Sequence, residues 1–231
     1  FAGFTGGRKL ICPGLAAAET IAATHKLAFD CAAKTRRAGV GAGLLAGNAV
    51  HEAFLEVAGK IKVSFAVNTI VDEKGEAVEV FCGDWRASHE KACEFYAARH
   101  TLEIAEKRAL VVVSAGGAPF DLNLIQAHKA LDAAANACVP GGTIFFLAEC
   151  PDGLGRQDFL SWFAAETSEE LAARLCEKYQ VNGQTAWSLL RKAERFDVRI
   201  LTSLPENETR RMRLHKARSI EEIRSDSNAK G

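Results

Sequence analysis

The spacing of hydrophobic residues predicts helices and one hairpin in the first part of the chain. Alanine and larger apolar residues recur at helical spacing over residues 14–37, and residues 49–60 repeat this pattern. Residues 61–71 and 76–84 are instead rich in β-branched and aromatic side chains. Because these two stretches flank the turn sequence DEKG, they are predicted to pair as a β-hairpin.

A boundary between two regions follows the next helix. Asp84 is expected to cap a helix over residues 85–105, because its carboxylate can accept hydrogen bonds from the first N–H groups of that helix. The first region then ends near Lys107. We therefore expect two domains, residues 1–107 and residues 108–231.

The second region begins with a pattern typical of parallel sheets. A short apolar strand runs into a Gly-Gly-x-Pro loop over residues 109–121, and Asp121 is expected to cap a helix over residues 122–138. Residues 141–150 follow as a second buried strand. Strand, helix and strand in this order predict a parallel βαβ unit.

Later segments extend this unit. Thr167 and Glu170 have the spacing of a capping box, and a helix around residues 186–195 leads into a strand over residues 197–204. The predicted fold class is α/β. It comprises two α/β regions flanking a cleft, the C-terminal one being a small three-layer βαβ unit with a parallel sheet.

Charge and cysteine content exclude several classes of partner. Lys plus Arg and Asp plus Glu number 29 each, so no net field favours nucleic acid or an anionic membrane. No apolar run approaches the roughly 18 residues that a membrane-spanning helix needs. Seven cysteines without a Cys-x-x-Cys pair favour reduced thiols in a cytoplasmic protein. The sequence indicates no oligomeric state.

Two glycine-bearing loops are the first candidates for chemistry. Residues 114–121 and 148–155 each follow a predicted parallel strand, where α/β sheets bind ligands. Gln126 and Lys129 lie one turn into the helix after the first loop and share a face, an arrangement that suits a carboxylate or phosphate. A solvated helix face explains the same two residues equally well. The dinucleotide fingerprint G-x-G-x-x-G is absent from these loops.

The N-terminal stretch FTGGRKLICPG places one lysine, Lys9, behind two glycines and ahead of Pro13 and Gly14. Such a loop can pass close to a ligand, although a surface turn with a solvated lysine is the simpler interpretation. None of the six histidines forms an H-E-x-x-H motif, and His25 on an alanine-rich helix is by itself more typical of a structural residue. The residues alone therefore predict an anion-binding α/β protein.

Several motifs in register resemble one known family. The chain closely resembles the core of the nickel-pincer lactate racemase family, in the same order, from Phe1 to at least Phe163 and more loosely to about Leu204. The stretches that carry the resemblance are FAGFTGGRKLICPGLAAAETI, ATHK, GNAVHEAFLEVA, VDEKGEAVEVFCGD, HEKACEF, VVVSAGGAPFDLNLIQAHKAL and GGTIFFLAECPDGLG.

The resemblance implies a covalent cofactor. At the position of Lys9 the family's lysine is attached through a thioamide to pyridinium-3,5-bisthiocarboxylic acid mononucleotide, which holds nickel through one carbon and two sulfurs. His25 matches the histidine that supplies the fourth nickel ligand. Thr5, Gly6 and Gly7 are candidates to bind the phosphate of the nucleotide through backbone N–H groups.

The implied reaction racemises or epimerises a 2-hydroxy acid. Hydride leaves and returns to the α-carbon, a histidine base takes the hydroxyl proton, and a 2-keto acid exists transiently. Gln126 and Lys129 match the positions that bind the substrate carboxylate. The implied partners are a small 2-hydroxy acid and, transiently, the proteins that make the cofactor. The resemblance implies that residues 1–107 are the remainder of an N-terminal cofactor-binding domain whose upstream part is absent, and that residues 108–231 form a C-terminal substrate-side domain. The implied active site lies between the two regions.

The chain also departs from the family pattern. The paired catalytic histidines lie upstream in the family, one of them just before Phe1, so we expect an incomplete C-terminal portion that is inactive by itself. Ile125 replaces an aromatic residue and Ala118 a bulkier one, which indicates a substrate other than lactate. Some members place an aromatic residue on the substrate late in the chain. Trp187 and Gln184 both lie near that position, and the sequence does not identify its equivalent.

Two alternatives remain. A relative that has lost catalysis would bind only a nucleotide or small anion, although such a protein has no use for both Lys9 and His25. A second alternative is an isolated anion-binding domain without a cofactor.

Overall fold

The computed structural model describes residues 1–222, which divide into two compact units, one of residues 1–103 and one that begins at residue 104. This division falls close to the predicted boundary after residue 107. The roles assigned to the two domains, cofactor binding and substrate binding, stay predictions.

The first unit consists of short paired strands and three α-helices. β1 pairs in parallel with β4, whereas β2 with β3 and β5 with β6 form antiparallel hairpins. The β5–β6 hairpin and the helices α2 and α3 confirm the predictions for these segments. The elements in chain order are β1 Ala2–Gly3, a 3-10 helix Gly7–Leu10, α1 Ala18–Lys26, β2 Phe29–Asp30, β3 Thr35–Arg36, β4 Gly41–Ala42, α2 Ala49–Gly59, β5 Ala66–Val71, β6 Ala77–Gly83 and α3 Trp85–His100.

Side-chain caps begin two of these helices. The Asp84 carboxylate accepts hydrogen bonds from the N–H groups of Arg86 (3.1 Å) and Ala87 (2.8 Å), which confirms the predicted cap of α3. Asn48 caps α2 in the same way. Because each cap satisfies donors that the helix leaves unpaired, its removal typically costs about 1 kcal/mol.

The prediction of one helix over residues 14–37 is wrong. α1 ends at Lys26, and β2 and β3 pair antiparallel in the remaining part. The Asp30 carboxylate accepts hydrogen bonds from the N–H groups of Ala32 (2.9 Å) and Ala33 (3.1 Å). An aspartate that binds the backbone just after it stabilises a turn, and here this outweighs the helix preference of the alanines.

The core of the first unit is built mainly from small residues. Cys12 follows the 3-10 helix directly and is fully buried in the same cluster as Phe54 of α2. The segment that carries Lys9 is thereby packed against α2. The buried members of this cluster are Ala2, Cys12, Ala28, Val40, Val50 and Phe54.

The second unit contains one parallel sheet of four strands in the order β10-β9-β8-β7. All three strand pairs are parallel, which confirms the α/β class and the βαβ prediction. The short edge strand β10 is not foreseen by the sequence. The elements in chain order are β7 Arg108–Ser114, α4 Leu124–Ala134, β8 Cys138–Leu147, a 3-10 helix Phe159–Ala164, α5 Ser168–Glu177, α6 Val181–Arg195, β9 Asp197–Leu201, α7 Glu206–Arg211 and β10 His215–Lys216.

The central strand β8 organises the core of this unit. Ile144, Phe145 and Phe146 are fully buried, as expected for a strand flanked by parallel neighbours. Helices α4 and α6 contact each other as well as the sheet. These contacts fix α4 on the sheet, and its N-terminal end directly follows the loop after β7.

Two predicted caps in the second unit have different outcomes. Asp121 does not cap α4: Asn123 does, and its side chain accepts a hydrogen bond from the N–H of Gln126 (3.1 Å). The buried Asp121 carboxylate instead accepts one from the N–H of Glu149 (3.0 Å), which ties together the loops after β7 and β8. The cap of α5 by Thr167 is confirmed.

Two further sequence predictions can be compared with residues 1–222. No helix among them has both the length and the apolar character needed to cross a bilayer. Five of the seven cysteines are thiols outside any disulfide bond, which confirms the prediction of reduced cysteines for these five and not for Cys31 and Cys176. The five are Cys12, Cys82, Cys93, Cys138 and Cys150.

Candidate functional site

Residues 4–14, which we call the Lys9 loop, contain the 3-10 helix Gly7–Leu10. This loop is held in a conformation that requires glycine. Gly7 has φ +50°, and a Cβ atom added to it would lie 2.4 Å from Cγ of His89. Its N–H donates to Oδ1 of Asn68 on β5 at 2.9 Å. Both contacts fix the backbone two residues before Lys9, whose side chain is half-buried.

A tight turn follows Lys9. The N–H of Gly14 donates to the carbonyl oxygen of Lys9 at 3.0 Å, and a Cβ atom on Gly14 would lie 2.2 Å from the carbonyl oxygen of Leu10. Only glycine fits this close approach of backbone to backbone. The turn lies between Lys9 and α1.

His25 lies in the last turn of α1 with its tautomer fixed. Its Nδ1 is 2.8 Å from the carbonyl oxygen of Ile21, so Nδ1 carries the proton and Nε2 carries the lone pair that a metal needs. The ring centroid lies 5.3 Å from that of Phe54. Burial lowers the pKa of His25, and the charge of Lys9 lowers it further, against the effect of the Ile21 hydrogen bond.

Lys9 and His25 both lie in the first unit. Because the ordinary histidine pKa of about 6.5 is lowered here, the imidazole is neutral at pH 7. An amine and a neutral imidazole thus belong to the same unit.

The nucleotide phosphate site expected at Thr5, Gly6 and Gly7 has one donor already in use. The Gly7 N–H is buried and bonded to Asn68, whereas Thr5 is exposed and Gly6 is partly exposed. Across residues 1–222, no three His, Cys, Asp or Glu side chains converge to hold a metal ion. A group that brought its own sulfur and carbon donors would need only one such ligand from the protein.

In the second unit, the structure places Gln126 and Lys129 in direct contact. The Lys129 ammonium donates to Oε1 of Gln126 at 2.6 Å, and both side chains are exposed. This geometry leaves the Gln126 NH₂ and the remaining ammonium hydrogens pointing away from their mutual bond, as donors for an anion. The i, i+3 spacing on α4 produces the pair.

A cavity of about 450 Å³ adjoins this pair. The loop after β7 forms one wall of it, and the first turns of α4 form the other. Gln126 and Lys129 provide polar lining beside apolar groups. The lining residues are Ala115, Pro119, Phe120, Leu122, Asn123, Gln126, Ala127, Lys129 and Ala130.

Other residues singled out by the sequence lie elsewhere. Ile125 and Ala118 are not among the lining of this cavity. Trp187 and Gln184 are both buried on α6, and Oε1 of Gln184 accepts a hydrogen bond from the Tyr179 hydroxyl (2.6 Å). Their proposed contact with substrate stays a prediction.

Sequence reasoning missed the residues that hold the Lys9 loop. Asn68 and His89 bind it from β5 and α3, and Arg8 is fully buried beneath it. Asn68 lies 61 residues from Gly7 and His89 lies 84 residues from Thr5 along the chain, so no local spacing pattern relates them. The sequence offers only a weak signal for them, which is the presence of a polar residue, Asn68 or His89, within a predicted strand or helix.

Two protein-family models match this chain. The lactate racemase C-terminal domain model matches residues 104–230, and the lactate racemase N-terminal domain model matches residues 1–36. The chain belongs to the lactate racemase family. This confirms the resemblance drawn from the sequence motifs.

Two curated relatives agree with this assignment. The chain is 36% identical over 163 residues to a lactate racemase of Thermoanaerobacterium thermosaccharolyticum, and 34% identical over 159 residues to one of Lactiplantibacillus plantarum. The alignments cover 71% and 69% of this chain but 37% and 36% of those proteins. The relatives that bear the name lactate racemase are thus much longer than the part this chain matches.

Solved structures show the same fold. The lactate racemase apoprotein of Thermoanaerobacterium thermosaccharolyticum matches 99% of this chain and 55% of its own, with a TM-score of 0.89 and 29% identity. A protein of Thermotoga maritima matches 94% of this chain and 57% of its own, with a TM-score of 0.67 and 20% identity, and agrees in fold alone.

Proposed function

We propose that this chain contributes to a racemase or epimerase of a 2-hydroxy acid that works with a lysine-linked nickel-pincer nucleotide. The observation that carries the proposal is that residues 1–36, which match the lactate racemase N-terminal domain, contain both Lys9 and His25. Burial lowers the pKa of His25, so its imidazole is neutral at pH 7, and the Ile21 carbonyl holds the proton on Nδ1. A protein that bound only an anion would have no use for both a covalent anchor and a metal ligand.

The residues present fit this cofactor. Lys9 would form the thioamide, His25 would ligate nickel, and Thr5 with Gly6 would face the phosphate, while the Gly7 N–H serves Asn68. When bound, the nickel-pincer nucleotide would accept hydride from the α-carbon of the substrate and return it. Sulfur, carbon and imidazole donors suit square-planar Ni(II).

The protein side chains would bind and orient the substrate. Lys129 and Gln126 would hold its carboxylate by a charge-assisted contact and an amide hydrogen bond, and the adjoining cavity would receive its substituent. Fixing the carboxylate fixes the α-carbon, which is what a stereochemical inversion requires. The proteins that make the cofactor would be transient partners.

Nickel content tests the metal side of the proposal. The chain is produced together with cofactor-biosynthesis proteins, and bound nickel is measured for wild type, His25→Ala and His100→Ala, the last being an exposed histidine on α3. We expect nickel to be lost in His25→Ala alone. Equal nickel in all three proteins, or none in wild type, would contradict the proposal and favour a relative that binds only an anion.

The reaction itself is tested with the pure enantiomers of several 2-hydroxy acids. We expect the loaded protein, with whatever chain completes the site, to convert one enantiomer into the other. A loaded protein that leaves every enantiomer unchanged, while Lys129→Ala weakens anion binding, would identify a binding protein.

A further inference from the structure

Arg8, the residue next to Lys9, is completely buried. Its guanidinium donates to the carbonyl oxygen of Phe4 at 3.1 Å and also to that of Ala2. Burial lowers the pKa of Arg8 to about 10, which leaves it charged at pH 7. A buried cation held by backbone carbonyls ties those carbonyls to one place, because releasing them would leave the charge without acceptors.

His89 on α3 joins this arrangement from the other side. Its Nε2 lies 2.9 Å from Nη1 of Arg8 and 2.9 Å from the carbonyl oxygen of Thr5. A bare Nε2 accepts from Arg8, and a protonated Nε2 donates to Thr5. In both tautomers the same ring nitrogen connects α3 to the Lys9 loop.

The carbon side of the same ring packs on the loop. Gly7 lies against His89 so closely that no Cβ atom fits between them, and its N–H is held by Asn68. The NH₂ group of Asn68 donates to the Ser88 hydroxyl at 3.1 Å, and Ser88 is adjacent to His89 on α3. The loop is thus gripped at Thr5, Gly7 and Arg8, immediately before Lys9.

We infer that His89 is a positioning residue for Lys9, acting with Arg8 as a buried clamp on the backbone that presents the Lys9 amine. The clamp holds a residue that would otherwise sit in a glycine-rich loop with wide conformational freedom. The purpose of the clamp rests on the proposed function. The clamp itself is a property of this chain and is measurable without any cofactor.

The test measures the reactivity of the Lys9 amine in the purified chain. Limiting acetic anhydride is added to folded and urea-unfolded protein, and peptide mass spectrometry gives the acetylation of Lys9 relative to exposed Lys62, which lies in the same unit. His89→Leu removes the ring nitrogen, His89→Gln retains an acceptor near the Nε2 position, and His100→Leu is the matched control on α3. Circular dichroism establishes that each variant is folded.

In wild type, we expect the folded Lys9/Lys62 ratio to differ from the unfolded ratio by a factor of roughly three to ten, because folding limits the access and conformations of the half-buried Lys9 side chain. His89→Leu should shift the ratio toward the unfolded value, whereas His89→Gln and His100→Leu should retain the wild-type ratio. A folded His89→Leu chain with the wild-type ratio would overturn the inference.

A second comparison applies if His89→Leu does not fold. His89→Asn places its amide near the Nδ1 position and cannot reach Arg8, so it should shift the ratio while His89→Gln does not; equal ratios would overturn the inference. Separately, wild-type chain made with cofactor-biosynthesis proteins is examined for an adduct on Lys9. A missing adduct contradicts the proposed function and leaves the reactivity comparison intact, so the two failures are distinguishable.

Discussion

His51 on α2 is expected to make the protein markedly less stable in mild acid. Burial is the main cause that lowers its pKa from 6.5 to about 4, and the positive charges of Arg8, His89 and Arg86 add to the effect. Its side chain is 95% buried by area, and its Nδ1 makes no hydrogen bond within residues 1–222. The folded chain therefore resists protonation of a group that the unfolded chain protonates readily.

The sign and size follow from proton linkage. A group whose folded pKa is depressed supports folding above its unfolded pKa, and this support is lost as the pH falls toward the folded pKa. For a shift from 6.5 to about 4, the free energy of unfolding should fall by about 2 kcal/mol between pH 7 and pH 5 through His51 alone. His25 and His89, whose pKa values burial also lowers, act in the same direction.

The assay is urea unfolding of the chain at pH 7, 6 and 5, followed by circular dichroism. His51→Leu should lose about 2 kcal/mol less stability than wild type over this range. His100→Leu, which removes an exposed histidine from α3, should follow the wild-type curve. Parallel pH curves for wild type and His51→Leu would refute the argument that burial keeps His51 neutral.

Three further substitutions are informative. Lys129→Ala should lower kcat/KM for the 2-hydroxy acid by roughly ten- to a hundredfold, the worth of a charge-assisted hydrogen bond, in a steady-state assay. Asp132→Asn should lower the free energy of unfolding by about 3 kcal/mol in urea melts, because it weakens the ion pair with buried Lys192. Gly7→Ala should reduce the thermal midpoint, since its Cβ would collide with His89.

Exposed side chains provide the controls for this group. Lys62→Ala and Glu73→Gln alter charges at exposed positions and should change neither kcat/KM nor stability beyond a few tenths of a kcal/mol. A Lys129→Ala enzyme as active as wild type would remove Lys129 from the carboxylate site. An Asp132→Asn protein of unchanged stability would mean that the buried lysine is satisfied by its other partners.

Local patterns predicted those elements whose signals are local. The β5–β6 hairpin, α3 behind Asp84 and the strand–helix–strand unit all depend on residues within a few positions of each other. The same reasoning failed for residues 27–37, where alanine content indicated a helix but Asp30 forms a turn. It also chose Asp121 over Asn123 as the cap of α4, because both residue types are good caps and only the fold recruits Asp121 to Glu149.

The candidate site likewise combines local contacts, which the sequence predicts, with long-range contacts, which it does not. The contact of Lys129 with Gln126 follows from helical spacing alone, and family motifs supplied the roles of Lys9 and His25. The clamp on the loop depends instead on His89, which is 81 residues from Arg8 along the chain. Packing between distant segments creates such contacts, so residue spacing does not encode them.

The central claim is that Lys9 carries the cofactor, and mass spectrometry tests it most directly. The chain is produced together with working cofactor-biosynthesis proteins, and its intact mass and its Lys9 peptide are compared with those of Lys9→Arg. We predict an added mass of a sulfur-bearing pyridinium mononucleotide on the Lys9 peptide of wild type and none on Lys9→Arg. An unmodified Lys9 under these conditions would contradict the account and indicate a non-catalytic relative that binds a nucleotide or a small anion.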